Sequence, residues 1–352
     1  MGNGESSGKG DDQNVNSQSN HDFKCINGRW YHNEEACYIF PSDIEEIDRQ
    51  QQQHYYFKHI FRTNISAPAE YKIHSISHQQ RCGAGIWLLE LATEYEKSEF
   101  FGVDMSPVFP AHIKPSNSNF IKANVLNGLP FPPNEFDYIH ISFMHGSFKD
   151  DQWQNIVIPE LIRVLKPGGW LEFYDVEIIS INGGPLVMRL TKSVLQLIYI
   201  AGLNPKSPTL IKDWLSSYAC LKDIKEIIRY PYIGKWKGEI IDEEIEIECE
   251  EEYDEGCGND VVIEEECECE NPEEVHLARV DVAKRKKDVE IGRLLNEMMK
   301  TYYTMDSENL SKCMGVEREE FLSIVEECFE HETSIYDTKM KVIRVICKKE
   351  ED

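Results

Sequence analysis

Short apolar runs alternate with amphipathic segments through the middle of the chain. The apolar runs read FFGV, FIKA, FDYIHISF and WLEFYDV, at residues 100–103, 120–123, 136–143 and 170–176. Between them, GIWLLELATEY at 85–95 and WQNIVIPELIRVL at 153–165 carry apolar residues at helical spacing. Strands that alternate with helices predict a parallel sheet with helices on both faces. The pattern therefore predicts a doubly wound α/β fold with a mostly parallel sheet.

The segments that flank this alternation are predicted to add helices and two further strands. Before it, Ser42 and Glu45 have the spacing of a capping box, which predicts a helix from Ser42 to about Phe61. After it, the predicted helices cover 186–201, 210–218, 275–303 and 317–330, and the predicted strands cover 222–229 and 340–347. The fold is therefore expected to carry helical additions at both ends.

Two segments have compositions that disfavour a packed core. Residues 1–22 are mostly Gly, Ser, Asn, Gln and Asp, which predicts a disordered tail. Residues 239–274 hold nineteen Asp and Glu with no Lys or Arg, which predicts a disordered acidic insertion. These boundaries divide the chain into a tail (1–22), a capping segment and helix (23–70), a core (71–238), the acidic insertion (239–274) and C-terminal helices with a closing strand (275–352).

The charge and hydropathy of the chain exclude several classes of partner. The net charge is −26, most of it in the acidic insertion, and no extended Lys and Arg cluster is present to bind nucleic acid. No run of about 18 apolar residues predicts a transmembrane segment. Because the N-terminus also lacks a secretory signal, we expect a cytoplasmic location, with a nuclear one left open. The acidic insertion is a candidate contact for protein partners.

Two short patterns resemble a zinc site and an N-myristoylation signal, and in both cases the interpretation without that chemistry is favoured. The eleven cysteines include four in the acidic insertion, at 249, 257, 267 and 269, but the chain has no CxxC pair. Free thiols are therefore expected in preference to a zinc site. Met1, Gly2 and Ser6 match the pattern for N-myristoylation, yet a chance match in a Gly-rich and Ser-rich tail is favoured.

An ordered series of motifs marks the ends of the predicted strands. Cys82-Gly83-Ala84-Gly85 opens a helix, and glycines in such a turn allow a backbone to approach a ligand closely. Asp104 then ends a strand, where a carboxylate can accept hydrogen bonds from ribose hydroxyls. Asn124 follows the next strand, and the block LKPGGW at 165–170 precedes another. A lone GxG is weak evidence, but the ordered series predicts a nucleoside-containing ligand.

These motifs together resemble those of the class I S-adenosylmethionine-dependent methyltransferases. The blocks CGAGIWLLELA, FFGVDMSP, NVLNGLPFPPNEFDYIHIS and LIRVLKPGGWLEF are similar to successive motifs of that family. The segment YIFPSDIEEIDRQQQQHYYF at 38–57 resembles the helix that precedes the domain in the fungal LaeA-like group. The resemblance covers about 29–238 and implies a Rossmann-like, seven-stranded sheet whose last strand is antiparallel. It also implies S-adenosyl-L-methionine as the cofactor.

The resemblance also implies a role for individual residues of the site. The residues expected to contact the cofactor are Gly83 and Gly85 at its methionine portion, Asp104 at its ribose, Met105, Asn124 and Val125 at its adenine, and Ser142 near its methyl group. The segment expected to cover the pocket, at 38–57, includes Tyr38, Asp43, Arg49 and His54. His145 and Glu172 are the candidates for a general base that deprotonates the methyl acceptor.

One stretch departs from the family pattern. Before the glycine turn the family has an apolar strand, an acid and a first glycine, whereas this chain has Gln79 and Arg81 at the positions of the acid and that glycine. Burying such side chains in the centre of a sheet without partners costs several kcal/mol. Either the substitutions are real and weaken cofactor binding, or residues 74–81 are an error of gene prediction.

The sequence therefore favours methyl transfer from S-adenosylmethionine to an unidentified small-molecule or protein acceptor, by a reaction that requires no metal. The alternative is a catalytically impaired methyltransferase fold that serves as an interaction or regulatory module. A third hypothesis, an NAD-dependent dehydrogenase, is weaker because Leu88 stands where its fingerprint requires a third glycine.

Overall fold

The structure is a computed structural model that describes residues 23–26, 29–32, 43–68, 75–78, 85–105, 114–144, 146–234 and 291–351. Several predictions concern residues outside these ranges. They are the tail (1–22), the acidic insertion (239–274) with its four cysteines, the first part of the helix predicted from 275, and the individual positions Tyr38, Gln79, Arg81, Gly83 and His145.

Nine strands are described, and seven of them form one sheet. In chain order they are β1 (Phe23–Ile26), β2 (Arg29–His32), β3 (Ser75–His78), β4 (Phe100–Asp104), β5 (Ser118–Lys122), β6 (Phe136–Ser142), β7 (Leu165–Ile181), β8 (Leu221–Arg229) and β9 (Lys339–Lys349). The order across the large sheet is β5-β4-β3-β6-β7-β9-β8. The pairs from β5 to β7 are parallel, and β9 is antiparallel to β7 and β8. The prediction of an α/β fold with a mostly parallel sheet is confirmed.

The described helices follow the predicted alternation. They are α1 (Ile44–Phe61), α2 (Ile86–Glu94), α3 (Asp150–Gln152), α4 (Ile158–Val164), α5 (Pro185–Ile200), α6 (Ser207–Ser216), α7 (residues 291–305), α8 (Ser307–Met314), α9 (Arg318–Glu327) and α10 (Thr333–Ile335). A π-helical turn joins α3 to α4, and another joins α9 to α10. None of the helices in the described part of the chain is long and apolar enough to cross a bilayer.

Helix α1 begins at Ile44, near the predicted start at Ser42, and has a different cap. The side chain of Asp43 accepts a hydrogen bond from the Glu46 amide at 3.2 Å, so Asp43 is the N-cap and the predicted capping box of Ser42 and Glu45 is wrong. Asp43 also pairs with Arg29 of β2, and Glu45 lies 2.8 Å from the same guanidinium. The short hairpin β1–β2 thus fixes the start of α1, a contact that helix periodicity alone does not predict.

Apolar side chains fill both faces of the sheet. On one face, α4 and α6 pack against β6, β7 and β9 around the buried Trp153. On the other face, α1, α5, α7, α8 and α9 pack around Leu190 and Phe321, and α2 forms a smaller cluster with Trp87. Burying apolar surface on both faces is the main stabilising contribution to such a layered fold.

Strand β3 occupies the centre of the parallel strands despite its polar sequence. Ser75 is in register with Phe100 of β4 and with Tyr138 of β6, and His78 is in register with Val103 and Ile141. The backbone of Ser75–His78 therefore forms a ladder on both edges. The departure from the family pattern does not remove the central strand.

Two described residues that flank residues 235–290 are in contact. The amide of Gly234 donates a hydrogen bond to the carbonyl of Gly292, in the described part of α7, at 3.0 Å. Tyr232, two residues earlier, forms an isolated antiparallel bridge with Lys339 at the start of β9. Residues 234 and 292 are therefore held side by side next to the sheet.

Candidate active site

The polar residues predicted for the site lie at one edge of the sheet. Asp104 is the last residue of β4 and is in register with Lys122, two residues before Asn124. Ser142 is the last residue of β6, one position beyond Ile141, which is in register with His78 of the central strand. The carboxyl ends of parallel strands are where an open α/β sheet binds its ligands.

Asp104 and Asn124 join the ends of β4 and β5. Asp104 is fully buried, and its carbonyl accepts a hydrogen bond from the amide of Ala123 at 3.0 Å. The amide oxygen of Asn124, expected to face the adenine, accepts from the Leu126 amide at 2.9 Å and caps a short 3-10 turn. That oxygen keeps a second lone pair for a ligand. Val125, also expected at the adenine, is a buried core residue.

Gly85 has the backbone conformation that the predicted glycine turn requires. It is the N-cap of α2 with φ of 68°, in the left-handed region, where a Cβ is disfavoured. No side chain caps this end of α2. The first amides of a helix and its dipole favour a negatively charged group at the N-terminus.

A large cavity opens beside this end of α2. Two predicted cofactor residues, Gly85 and Ser142, line it, whereas Asp104, Met105, Asn124 and Val125 are not among its described lining residues. Its walls come from α1, the start of α2, the ends of β6 and β7, β9 and α7. The lining on α1 includes Arg49 and His54, both predicted to cover the pocket.

The turn after β6 forms part of the cavity wall and has a strained backbone. Phe143 has φ of 55°, which is uncommon for a bulky residue. Its amide donates to the Tyr174 carbonyl at 2.9 Å, and the next amide, of Met144, donates to Asp175 Oδ2 at 2.9 Å. Backbone strain of this kind persists where surrounding contacts enforce it and clusters at functional sites. The sequence did not predict the strained backbone of this turn or its contacts with Tyr174 and Asp175.

The family comparison matches a methyltransferase domain model to residues 81–169. Residues 81–169 therefore resemble a methyltransferase domain. The match includes the glycine turn, Asp104, Asn124 and the LKPGGW block except its last residue, and it confirms the predicted relationship to the S-adenosylmethionine-dependent methyltransferases. The match supports S-adenosylmethionine as the cofactor.

Three relatives show how far the likeness of the methyltransferase domain extends. Methyltransferase str3 of Strobilurus tenacellus is 35% identical over 40% of this chain and 51% of its own length. N-methyltransferase verN of Clonostachys rogersoniana is 27% identical over 44% and 55%. Protein-methionine methyltransferase laeA of Emericella nidulans is 29% identical over 46% and 43%. The chain thus spans about half the length of these relatives, and the LaeA-like resemblance is confirmed.

The carboxylate of Glu172 is held by contacts with other parts of the fold. Its Oε2 accepts hydrogen bonds from the amides of Ser66 at 2.9 Å and Ala67 at 3.0 Å, and its Oε1 lies 3.3 Å from Arg344 Nε. Glu172 is fully buried and is not among the described residues that line the cavity. Its role as a general base stays a prediction. The hydrogen bonds from Ser66 and Ala67 make Glu172 the anchor of the segment between α1 and β3.

Three polar side chains of α1 form a connected cluster in the cavity wall. Arg49 donates from Nε and Nη2 to the two oxygens of Glu46, each at 2.8 Å, and from Nη1 to Gln53 at 2.9 Å. The guanidinium carbon of Arg49 also lies 5.8 Å from the centre of the Tyr302 ring on α7. The charges of this cluster are paired within α1, so the cluster joins the two helices without leaving a net charge.

His54 links α1 to α2 at the side of the cavity. Its Nε2 lies 2.7 Å from Glu90 Oε2, and Lys58 pairs with the other oxygen of Glu90. Burial lowers the pKa of His54, an effect that exceeds the opposing influence of Glu90. Sequence spacing did not predict this pairing, because the two residues are on different helices.

The buried His140 predicts a pH dependence of stability. Burial lowers the pKa of His140 well below 6.5, and the charge of Arg344 lowers it further. Below that pH the unfolded chain binds a proton that the folded chain does not, so stability falls as the pH falls. Replacing His140 with Gln should flatten this loss by up to about 1.4 kcal/mol per pH unit. Urea unfolding at several pH values between about 7.5 and about 5.5 measures the slope.

An equal slope in the two proteins would contradict the expected effect of His140. Loss of the stacked contact with Trp87, at 4.3 Å between ring centroids, lowers stability at every pH and does not change the slope. The slope therefore separates the titration of His140 from its packing.

Proposed function

We propose that the protein transfers a methyl group from S-adenosylmethionine to a small-molecule or protein acceptor. The observation that carries the proposal is the methyltransferase match over 81–169, with Gly85, Asp104 and Ser142 at one edge of a parallel sheet. The seven-stranded order, with β9 antiparallel, supports a Rossmann-like methyltransferase fold.

The residues present fit the cofactor in two respects. The uncapped N-terminus of α2 at Gly85 suits the carboxylate of its methionine portion. Asp104, at the end of the adjacent strand, supplies a carboxylate for its ribose hydroxyls. When bound, the sulfonium supplies a methyl group that is already activated for displacement. The contribution of the chain is then to align the acceptor and to exclude water beneath α1.

The impaired alternative depends on residues outside the described ranges. Gln79, Arg81 and the acidic insertion (239–274) were its support, and the comparisons with relatives add none. A location in the cytoplasm or nucleus, and protein partners at the acidic insertion, are likewise proposals from the sequence.

Replacing Gly85 with Val tests the proposed cofactor site. The added side chain is disfavoured by the left-handed backbone and enters the wall of the cavity, so we expect at least a tenfold loss of affinity for S-adenosylhomocysteine. Isothermal titration calorimetry with the full chain measures this.

The matched control for Gly85 is Gly315, which ends α8. It has φ of 74° and open space around its missing Cβ. Gly315→Val should carry a similar backbone cost and leave the affinity unchanged. No binding of S-adenosylhomocysteine to the unaltered chain would reject the proposed function.

A further inference from the structure

We propose that the methyl acceptor is an uncharged, largely apolar small molecule with a flat ring system, bound in the half of the cavity beneath α1 and α7. This inference rests on the proposed function, since it names the class of acceptor that the same cavity takes. Three features of the cavity support the inference: its apolar lining, the pairing of its charged residues and its helical roof.

The position of the cofactor motifs leaves one half of the cavity for the acceptor. Gly85 follows β3, Asp104 ends β4 and Ser142 ends β6, so the cofactor residues belong to the β4-β3-β6 part of the sheet. The remaining lining extends past β6 to β7 and β9. Its apolar members include Tyr174, Val176, Ile178, Met298, Met299 and Met340.

Methionine and aromatic side chains dominate this half of the cavity, which we call the acceptor half. Met298 of α7 and Met340 of β9 are buried, and Met299 is half-buried. Phe57, Phe143 and Tyr174 stand with ring centroids 5.0 to 5.2 Å apart. Methionine is flexible and polarisable and contacts aromatic rings favourably. Such walls suit a flat apolar ligand and tolerate variation in its outline.

Each charged residue of the described cavity lining pairs with a residue of opposite charge, and the imidazole of His54 pairs with a carboxylate. Glu46 pairs with Arg49, and His54 and Lys58 pair with Glu90. Arg344 pairs with Glu172, and Glu177 lies 3.3 Å from Lys341. A charged acceptor would have to break one of these pairs or remain without a counter-charge, at a cost of several kcal/mol. The cavity therefore favours a neutral molecule over a charged side chain or a nucleotide.

Two contacts join the segments that form the roof of the acceptor half. Arg49 of α1 lies over the ring of Tyr302 on α7, and Tyr31 of the hairpin donates to Asp306 Oδ1, just after α7, at 3.0 Å. The roof thus consists of helices that are held together by side chains distant in the sequence. A space beneath such a roof favours a small molecule over a segment of folded protein.

Two dyes with the same aromatic frame test the charge preference. N-phenyl-1-naphthylamine is neutral, and 8-anilino-1-naphthalenesulfonate carries one negative charge. With the full chain saturated by S-adenosylhomocysteine, we expect one neutral dye per chain, bound at least tenfold more tightly than the anionic dye. Fluorescence titration measures both affinities.

Variants of α7 locate the bound dye. Met299→Asp should weaken binding of the neutral dye at least tenfold, because it places a charge in the acceptor half. Leu294→Asp is the matched control, since Leu294 is on the same helix and is 47% exposed. If Met299→Asp does not fold, Val176→Thr is the second variant: it keeps the shape of the side chain, and its added hydroxyl should weaken dye binding about threefold.

Three results would overturn the inference. They are equal affinity for the two dyes, displacement of the neutral dye by S-adenosylhomocysteine, and dye binding unchanged in both cavity variants. Calorimetry of S-adenosylhomocysteine alone distinguishes these failures from failure of the proposed function. Cofactor binding without selective dye binding rejects only the acceptor class.

Discussion

Replacing Arg344 with Met is expected to lower the free energy of unfolding by about 3–5 kcal/mol. Arg344 is 2% exposed, and its loss leaves the fully buried carboxylate of Glu172 with two backbone amides and no counter-charge. The guanidinium also packs on the rings of Phe61 and Tyr174, at 4.1 and 4.8 Å from their centres. Urea unfolding of the full chain measures the change.

A second pair on the same strand provides the control for Arg344. Lys341 of β9 lies 3.3 Å from Glu177, and both side chains are about a quarter exposed. Lys341→Met should cost less than about 1 kcal/mol, because water screens a partly exposed pair. Combining Arg344→Met with Glu172→Gln should recover part of the loss. Equal effects of Lys341→Met and Arg344→Met would show that the buried charge is not the cause.

Replacing Asp104 with Asn is expected to weaken binding of S-adenosylhomocysteine by about 10- to 100-fold. A hydrogen bond to a charged group contributes about 1.5–3 kcal/mol, and the amide keeps the shape of the side chain without its charge. Calorimetry measures the affinity, and thermal unfolding shows whether the variant is folded.

Asp137 of β6 is the control for Asp104. Its carboxylate pairs with Lys166 at 2.8 Å and is 39% exposed, away from the carboxyl ends of the strands. Asp137→Asn should leave the affinity unchanged. Unchanged affinity in Asp104→Asn would place the ribose elsewhere and remove the assignment of Asp104.

The alternation of strands and helices was predictable because its signals are local. The apolar runs at 100–103 and 136–143 appear as β4 and β6, and the alternating run at 340–347 appears within β9. The strand ends then bring Asp104, Asn124 and Ser142 to one edge, as the motif order predicted. Each of these inferences needs only periodicity and the geometry of a parallel sheet.

The contacts that complete the cavity were not predictable, because each joins distant parts of the chain. His54 meets Glu90 on another helix, and Glu172 accepts from the amides of Ser66 and Ala67, more than a hundred positions away. Glu172 stands two residues after the LKPGGW block, which suggested a base from the sequence, and its contacts with the segment between α1 and β3 are visible only in the structure.

The N-cap of α1 shows that even a local feature can depend on a tertiary contact. Ser42 and Asp43 are both good N-caps, and the pairing of Asp43 with Arg29 in the hairpin selects Asp43. Local preference leaves two solutions there, and a tertiary contact decides between them.

The hydrogen bond between Gly234 and Gly292 holds the two described residues that flank residues 235–290 at adjacent positions. Because the entropy of closing a loop varies slowly with its length, a longer or shorter stretch between them changes the free energy of unfolding only slightly through loop closure. The sheet can therefore tolerate evolutionary growth or shrinkage of that stretch at little entropic cost.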